Sequence, residues 1–193
     1  CFSIQSRNWR VTNLTSVDEH LALYIDGSCL ENQKLDAETP AARGMVVVVG
    51  DNGLGKGSGE ILEESWGFVV CNPNDNEFIG AEVGSNNTAE LTAFAMALRW
   101  LLIDGSEKTA IIYTDSQYAG NLATGAWRAK ANKSLVEFVQ NLWNEVNQIR
   151  DIEWRHVRAH RGHRWNERAD HLANRCVNDQ LPIPLSFWKP GQR

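Results

Sequence analysis

The chain has 193 residues, 42% of them hydrophobic and 22% charged, a balance that suits one globular domain with a sizeable core and excludes a disordered chain. No apolar run approaches the roughly 20 residues of a membrane span, and no basic segment followed by an apolar one opens the chain as a secretory signal would. The net charge of −5 hides an asymmetry: residues 1–98 carry 5 Lys or Arg against 14 Asp or Glu, whereas residues 99–193 carry 14 against 10.

Residues 1–18 show no period, and 1–19 are read as an N-terminal extension. The first residue is Cys1 rather than Met, so the sequence is expected to be a piece of a longer chain. Leu21, Leu23 and Ile25 alternate, which predicts a strand ending at Asp26-Gly27-Ser28. Residues 31–42 are polar and read as a loop. Gly44–Gly50, with four consecutive valines, reads as a buried strand, and the glycine-dense stretch 51–59 as a turn or loop. Trp66–Cys71, a polar turn at 72–76 and Phe78–Val83 read as strand, turn, strand. Thr88–Leu102 is rich in Ala and Leu without Gly or Pro, which predicts a helix. Thr109–Thr114 follows as a short strand with Asp115 at its end. Ser116–Leu122 reads as a short helix, Leu135–Val146 as an amphipathic one, Ile152–His156 as a strand and Trp165–Val177 as the last helix. Residues 179–193 hold three prolines and read as an irregular tail. Strands first, then helices alternating with strands, describe a mixed α/β layer with helices packed on one sheet.

Two features bear on chemistry. The stretch 150–175 holds seven Arg and four His, which reads either as a solvated helix face laced with salt bridges or as an anion-binding face on an acidic protein, suited to a polyanionic substrate. Four acids occupy special places: Asp26 at the end of the first strand, Glu90 in the first turn of the long helix, Asp115 at a strand end and Asp170 in the last helix. Taken singly, each suits a turn, a helix dipole or a solvated face. Brought to one sheet edge, they would repel one another unless divalent cations neutralised them, and an all-oxygen set favours Mg²⁺ or Mn²⁺ over zinc. The cysteines Cys1, Cys29, Cys71 and Cys176 have neither zinc-site nor disulfide-framework spacing and read as reduced, intracellular thiols.

The residues around these acids form motifs: Tyr24-Ile-Asp-Gly-Ser-Cys-Leu30, Asn86-Asn-Thr-Ala-Glu-Leu91, Tyr113-Thr-Asp-Ser-Gln-Tyr118, and His156-Val-Arg-Ala-His160 followed by Asn166-Glu-Arg-Ala-Asp170. In this order they resemble the type 1 ribonuclease H family, over about residues 20–178. The resemblance implies a ribonuclease H-like α/β fold: a five-stranded mixed sheet, three antiparallel strands plus parallel strands, flanked by helices. It implies an endonuclease that hydrolyses the RNA strand of RNA–DNA hybrids by two-metal-ion catalysis, leaving 5′-phosphate and 3′-hydroxyl ends. Asp26, Glu90, Asp115 and Asp170 match the family's metal-binding and catalytic carboxylates, expected to hold two Mg²⁺ ions that Mn²⁺ can replace. His160 matches a catalytic loop histidine linked to proton transfer or product release. Cys29, Asn32, Asn86, Asn87 and Gln117 match substrate contacts, with Ser28 and Asn166 beside them shaping the site; small polar groups suit a wide minor groove read through its 2′-hydroxyls. For Asn86 and Asn87 a turn and helix N-cap is the structural alternative.

The chain departs from the family pattern in three places. Asp26 and Glu90 are 64 residues apart, which puts an insertion within about 31–77. Either Met45–Val49 is the second family strand, which we favour, or Trp66–Cys71 is. Between Asp115 and His160 only Trp127, Arg128, Lys130 and Lys133 stand where relatives carry a basic protrusion, so hybrid affinity is expected to be modest or to depend on a missing hybrid-binding or polymerase domain. Trp127 and Trp165 suit either the core or the substrate. Ala159 replaces the usual glycine before the loop histidine. The expected partner is an RNA–DNA hybrid, with no membrane, and the expected state is a monomer inside the cell, cytoplasm and nucleus not being distinguished. The alternatives are a ribonuclease H domain of a retroelement polyprotein, a hybrid-binding module that no longer cuts, and a related fold acting on DNA.

Overall fold

The computed structural model describes residues 20–30, 34–104, 106, 108–158 and 161–192. The residues read as the N-terminal extension, together with Cys1, Asn32, Ala159 and His160, lie outside the described residues. Strand β1 (Leu21–Cys29) pairs antiparallel with β2 (Ala41–Val49), and β2 pairs antiparallel with β3 (Glu60–Phe68). Helix α1 (Asn86–Ile103) leads to β4 (Ala110–Thr114), which lies parallel to β1. Helices α2 (Gln117–Ala123) and α3 (Lys133–Ile149) precede β5 (Ile152–His156), parallel to β4, and α4 (Arg164–Val177) closes the regular structure. The sheet order β3-β2-β1-β4-β5 is the expected five-stranded mixed sheet, antiparallel across β1, β2 and β3.

Alternation along β1 builds two cores, one on each face of the sheet. Leu21, Leu23 and Ile25 pack with Leu91, Phe94 and Leu98 of α1 and with Leu135 and Val139 of α3. Ala22 and Tyr24 pack on the opposite face with Trp165, Ala169 and Leu172 of α4. A strand covered on both sides must be apolar throughout its length, which is why Asp26 stands out in it. Helix α1 starts where Ser85 and Thr88 cap each other: the Thr88 amide donates to Ser85 Oγ at 3.1 Å, and the Ser85 amide to Thr88 Oγ1 at 2.9 Å. The cap is therefore Ser85, not Asn86 or Asn87, whose side chains are left exposed.

Three sequence expectations change. The first strand, expected to end at Asp26-Gly27-Ser28, runs one residue further to Cys29, so Asp26 stands inside it. The favoured register for the second strand is the observed one, but its partner is Glu60–Phe68, and both strands fall inside the segment read as an insertion. Phe78–Val83 forms no strand; Gly80 sits at φ 106°, outside extended geometry, against the start of α3. The acidic β3 hides its alternation because the β2–β3 register shifts between Val47 and Val48.

Residues 179–192 form neither helix nor strand, yet they are packed along α4. Arg168, 1% exposed, holds Glu64 of β3 through Nε and Nη2 at 2.6 and 2.8 Å and donates through Nη1 to the Ile183 carbonyl at 2.8 Å. The buried His171 ring donates from Nδ1 to the Gln192 carbonyl and accepts the Ile183 amide at Nε2, and the buried Trp188 packs beside it. No described helix is long and apolar enough to cross a membrane.

Candidate active site

The parallel pairing of β1 with β4 ends at Tyr24 opposite Tyr113. Two residues further on come Asp26, still within β1, and Asp115, just past the end of β4, so the ladder itself delivers both carboxylates to one end of the sheet. Two glycines then let the helices close in. A Cβ on Gly27 would lie 2.5 Å from the Glu90 amide nitrogen, so α1 crosses directly over β1 and carries Glu90 to the site. Gly44, opposite Asp26 on β2, would put a Cβ 2.2 Å from the Ala169 carbonyl oxygen, so α4 lies against β2 with Asp170 beside that contact.

The electrostatics report the same meeting. Asp26 is 6% exposed, and its carboxyl is pushed well above the usual range by burial first, then by the charges of Asp115 and Asp170, with Glu90 adding. The Gly27 amide, 2.7 Å from Asp26 Oδ1, opposes that shift only in part. Glu90 is pushed up to about 7, chiefly by burial; a hydrogen bond from the Ser116 hydroxyl pulls the other way, and the charge of Asp115 adds. Glu90 stands in the second turn of α1, not the first, so the helix N-terminus does not account for its position.

Ser116 also caps α2 by accepting the Ala119 amide at 3.1 Å, which ties the start of α2 to Glu90. His156, at the end of β5, donates from Nε2 to the Asp115 carbonyl at 3.1 Å. The donors are all oxygens, and every charge acting on Asp26 is a carboxylate. Asn166, one turn before Asp170, keeps a buried Oδ1 without a partner among the described residues. Such a set fits Mg²⁺ or Mn²⁺ by its chemistry. Among the described residues no three acids, histidines or cysteines are gathered closely enough to form a ready-made ligand cage.

The RNase H family model matches residues 18–178 of the chain. The chain belongs to the ribonuclease H family. It is 33% identical over 175 residues to the Ribonuclease H of Anaplasma marginale, covering 85% of this chain and 94% of that one. Among solved structures, RNase H1 of the archaeon Halobacterium salinarum is similar with a TM-score of 0.59 and 26% identity, over 83% of this chain and 98% of that one. LC11-RNase H1, solved in complex with an RNA/DNA hybrid, shares the fold at a TM-score of 0.57 and 22% identity, over 82% of this chain and 97% of its own.

Within this ribonuclease H fold, the candidates singled out in the sequence fall into three groups. Asp115, Asp170 and Glu90 each act on Asp26, and Asp115 acts on Glu90 as well. Ser28 and Cys29 end β1, half-buried, while Asn86, Asn87 and Gln117 stand exposed at the first residues of α1 and α2. Asn166 is only 2% exposed, so it lies beneath the surface rather than on the exposed rim. Trp165 is a core residue whose Nε1 donates to the Ser58 carbonyl at 2.9 Å, whereas Trp127 is exposed. Sequence reading missed the Ser116–Glu90 bond, because a serine at a helix start is explained by capping alone. It also missed the roles of Gly27 and Gly44, whose only signals were a small residue next to Asp26 and a small residue opening the predicted second strand.

Proposed function

We propose that this chain hydrolyses the RNA strand of RNA–DNA hybrids, leaving 5′-phosphate and 3′-hydroxyl ends, with Asp26, Glu90, Asp115 and Asp170 holding two Mg²⁺ ions that Mn²⁺ can replace. The observation that carries the reading is Asp26, buried and set among three further carboxylates with its ionisation suppressed. When bound, such ions supply charge neutralisation and Lewis acidity at the phosphate. The chain's own residues do the rest. Gly27 holds one Asp26 oxygen through its amide and so fixes the carboxyl in place. Ser116 fixes the Glu90 carboxyl by donating to it. His156, bound to the Asp115 carbonyl, steadies the backbone that presents Asp115. The exposed amides of Asn86, Asn87 and Gln117 both donate and accept, as recognition of 2′-hydroxyls and sugar edges requires, with Ser28 and Cys29 continuing that rim and Asn32 assigned to it by its motif. His160, carried over from its motif, moves a proton or helps release product. The hybrid held by LC11-RNase H1, which shares this fold, supports the choice of substrate.

The test is cleavage of an end-labelled RNA–DNA hybrid by the parent chain and by Asp115→Asn, with Mg²⁺, Mn²⁺ or EDTA, beside duplex DNA and duplex RNA. Metal-dependent cutting confined to the hybrid's RNA strand, and reduced at least 100-fold in the variant as loss of a charge-stabilising group predicts (roughly 10²–10³), is the expected result. Hybrid binding by a folded chain without cutting would replace this reading with a binding module.

A further inference from the structure

The β2–β3 loop, residues 50–59, turns back over the α4 face of the sheet and is fastened there. Buried Asp51 accepts hydrogen bonds from Tyr24 Oη at 2.5 Å, from Ser58 Oγ at 2.9 Å and from the Gly53 amide at 3.2 Å. The Gly55 carbonyl accepts the Arg164 amide at 3.0 Å. Gly55 itself sits at φ 73°, where a Cβ would come within 2.9 Å of the His163 ring, so this close seating needs a glycine. Between the fastened loop and the end of β5 lies an open cleft of about 480 Å³.

Its rim is cationic. Lys56 comes from the loop, Arg155 and Arg158 from β5 and just beyond it, and Arg161 from the approach to α4; all four are exposed. The nearby acids are engaged elsewhere: Asp51 in the loop's anchor, Glu153 with Arg155, and Glu167 accepting the Gly162 amide at 2.8 Å. The cleft adjoins the carboxylate site, since Tyr113 in its lining stands two residues before Asp115, and His156, also in the lining, bonds the Asp115 carbonyl. A groove open to solvent with separated cations suits a polymer of phosphates better than one enclosed anion.

We propose that this cleft is a second nucleic-acid site, in which Lys56, Arg158 and Arg161 hold the sugar–phosphate backbone of the hybrid beyond the point of cleavage. It rests on the reading of the chain as a hybrid nuclease. It also sets a grip on the backbone apart from the sparse set of basic residues between α2 and α3, with Lys56 supplied by the β2–β3 loop.

The experiment measures binding of a hybrid and of duplex DNA in EDTA, where nothing is cut, across a salt series. The parent is compared with the triple variant Lys56→Ala, Arg158→Ala, Arg161→Ala, with Lys56→Ala alone as a mild second variant and with Lys189→Ala, in the tail, as a control. Each phosphate that a removed cation no longer neutralises lowers the slope of log affinity against log salt by about 0.9. The triple variant is expected to lose roughly two to three of slope and at least tenfold in affinity on both duplexes, Lys56→Ala about one of slope, and Lys189→Ala nothing. Slopes and affinities equal to the parent's in both cleft variants overturn the site and leave the cleavage reading standing. A parent that binds neither duplex, or whose cleft takes up inorganic phosphate without binding either, also overturns it. A slope lowered as expected in a chain that never cuts with Mg²⁺ supports the site and overturns the cleavage reading.

Discussion

At Asp26 a carboxylate occupies a strand position that its neighbours fill with apolar side chains, and three further acids surround it. Such a residue costs stability whenever it is ionised without a counter-cation. The expected consequence is opposed effects of one substitution. Asp26→Asn keeps an Oδ1 for the Gly27 amide and removes the charge, so in EDTA at pH 7–8 the variant should melt higher than the parent, by roughly 2–4 °C for each kcal/mol of repulsion relieved. Added Mg²⁺ should raise the Tm of the parent more than that of the variant, and hybrid cleavage by the variant should be lost. A melting temperature equal to or below the parent's in EDTA would show that the repulsion is already relieved by other means. How much of this site was legible in the sequence depended on the motifs. Strand and helix periodicity placed each acid at a plausible edge, but only the residues flanking Asp26, Glu90, Asp115 and Asp170 distinguished a site from four ordinary surface acids. Ser116 remained hidden, because its bond to Glu90 spans 26 residues and leaves no local pattern.

At the scale of elements, the site depends on two helices touching the sheet without side chains between them. Gly44→Ala would force α4 off β2, since its Cβ meets backbone rather than a movable side chain. Overpacking of this kind costs about 1–3 kcal/mol, and melting should fall by roughly 3–10 °C. Gly27→Ala meets the backbone of α1 at Ala89 and Glu90 in the same way, and because it moves Glu90 it should lower kcat at least tenfold even at temperatures where the variant is folded. Thermal melts and cleavage rates measured on the same preparations check both. Elements were legible where one period ran undisturbed: α1, α3, α4, β1, β4 and β5 lie within a few residues of their predicted spans. They were not legible where pairing overrode pattern. Glu60–Phe68 is an edge strand with a register shift, so its acids and apolar residues fall out of step, while Phe78–Val83 has the composition of a strand and no partner to pair with.

Across the whole molecule, α4 and the segment after it join distant parts of the chain. Arg168 ties β3 to α4 and to Ile183, and His171 ties α4 to both Ile183 and Gln192. His171 uses both ring nitrogens, one as donor and one as acceptor, so only the neutral ring completes the pattern. Burial, joined by the charges of Arg168 and Arg175, holds it below its ordinary 6.5, and burial does the same to His163. The unfolded chain therefore takes up protons first: the stability these rings contribute is complete above about 6.5 and is lost as pH falls from there through their folded values. His171→Gln can still donate and accept, so its melting temperature should gain on the parent's as pH drops from 7 to 5. A constant gap between the two proteins would remove the imidazole from the account. The packing of residues 179–192 against α4 bears on how the protein is produced. The family model matches as far as residue 178, and a gene trimmed there would express α4 with its outer face stripped. Trp188 and Ile183 would be gone, His171 would lose both hydrogen-bond partners, and Arg168 would keep only Glu64. A shortened version should come out of cells poorly soluble and prone to protease attack, so the cloning boundary belongs after Gln192.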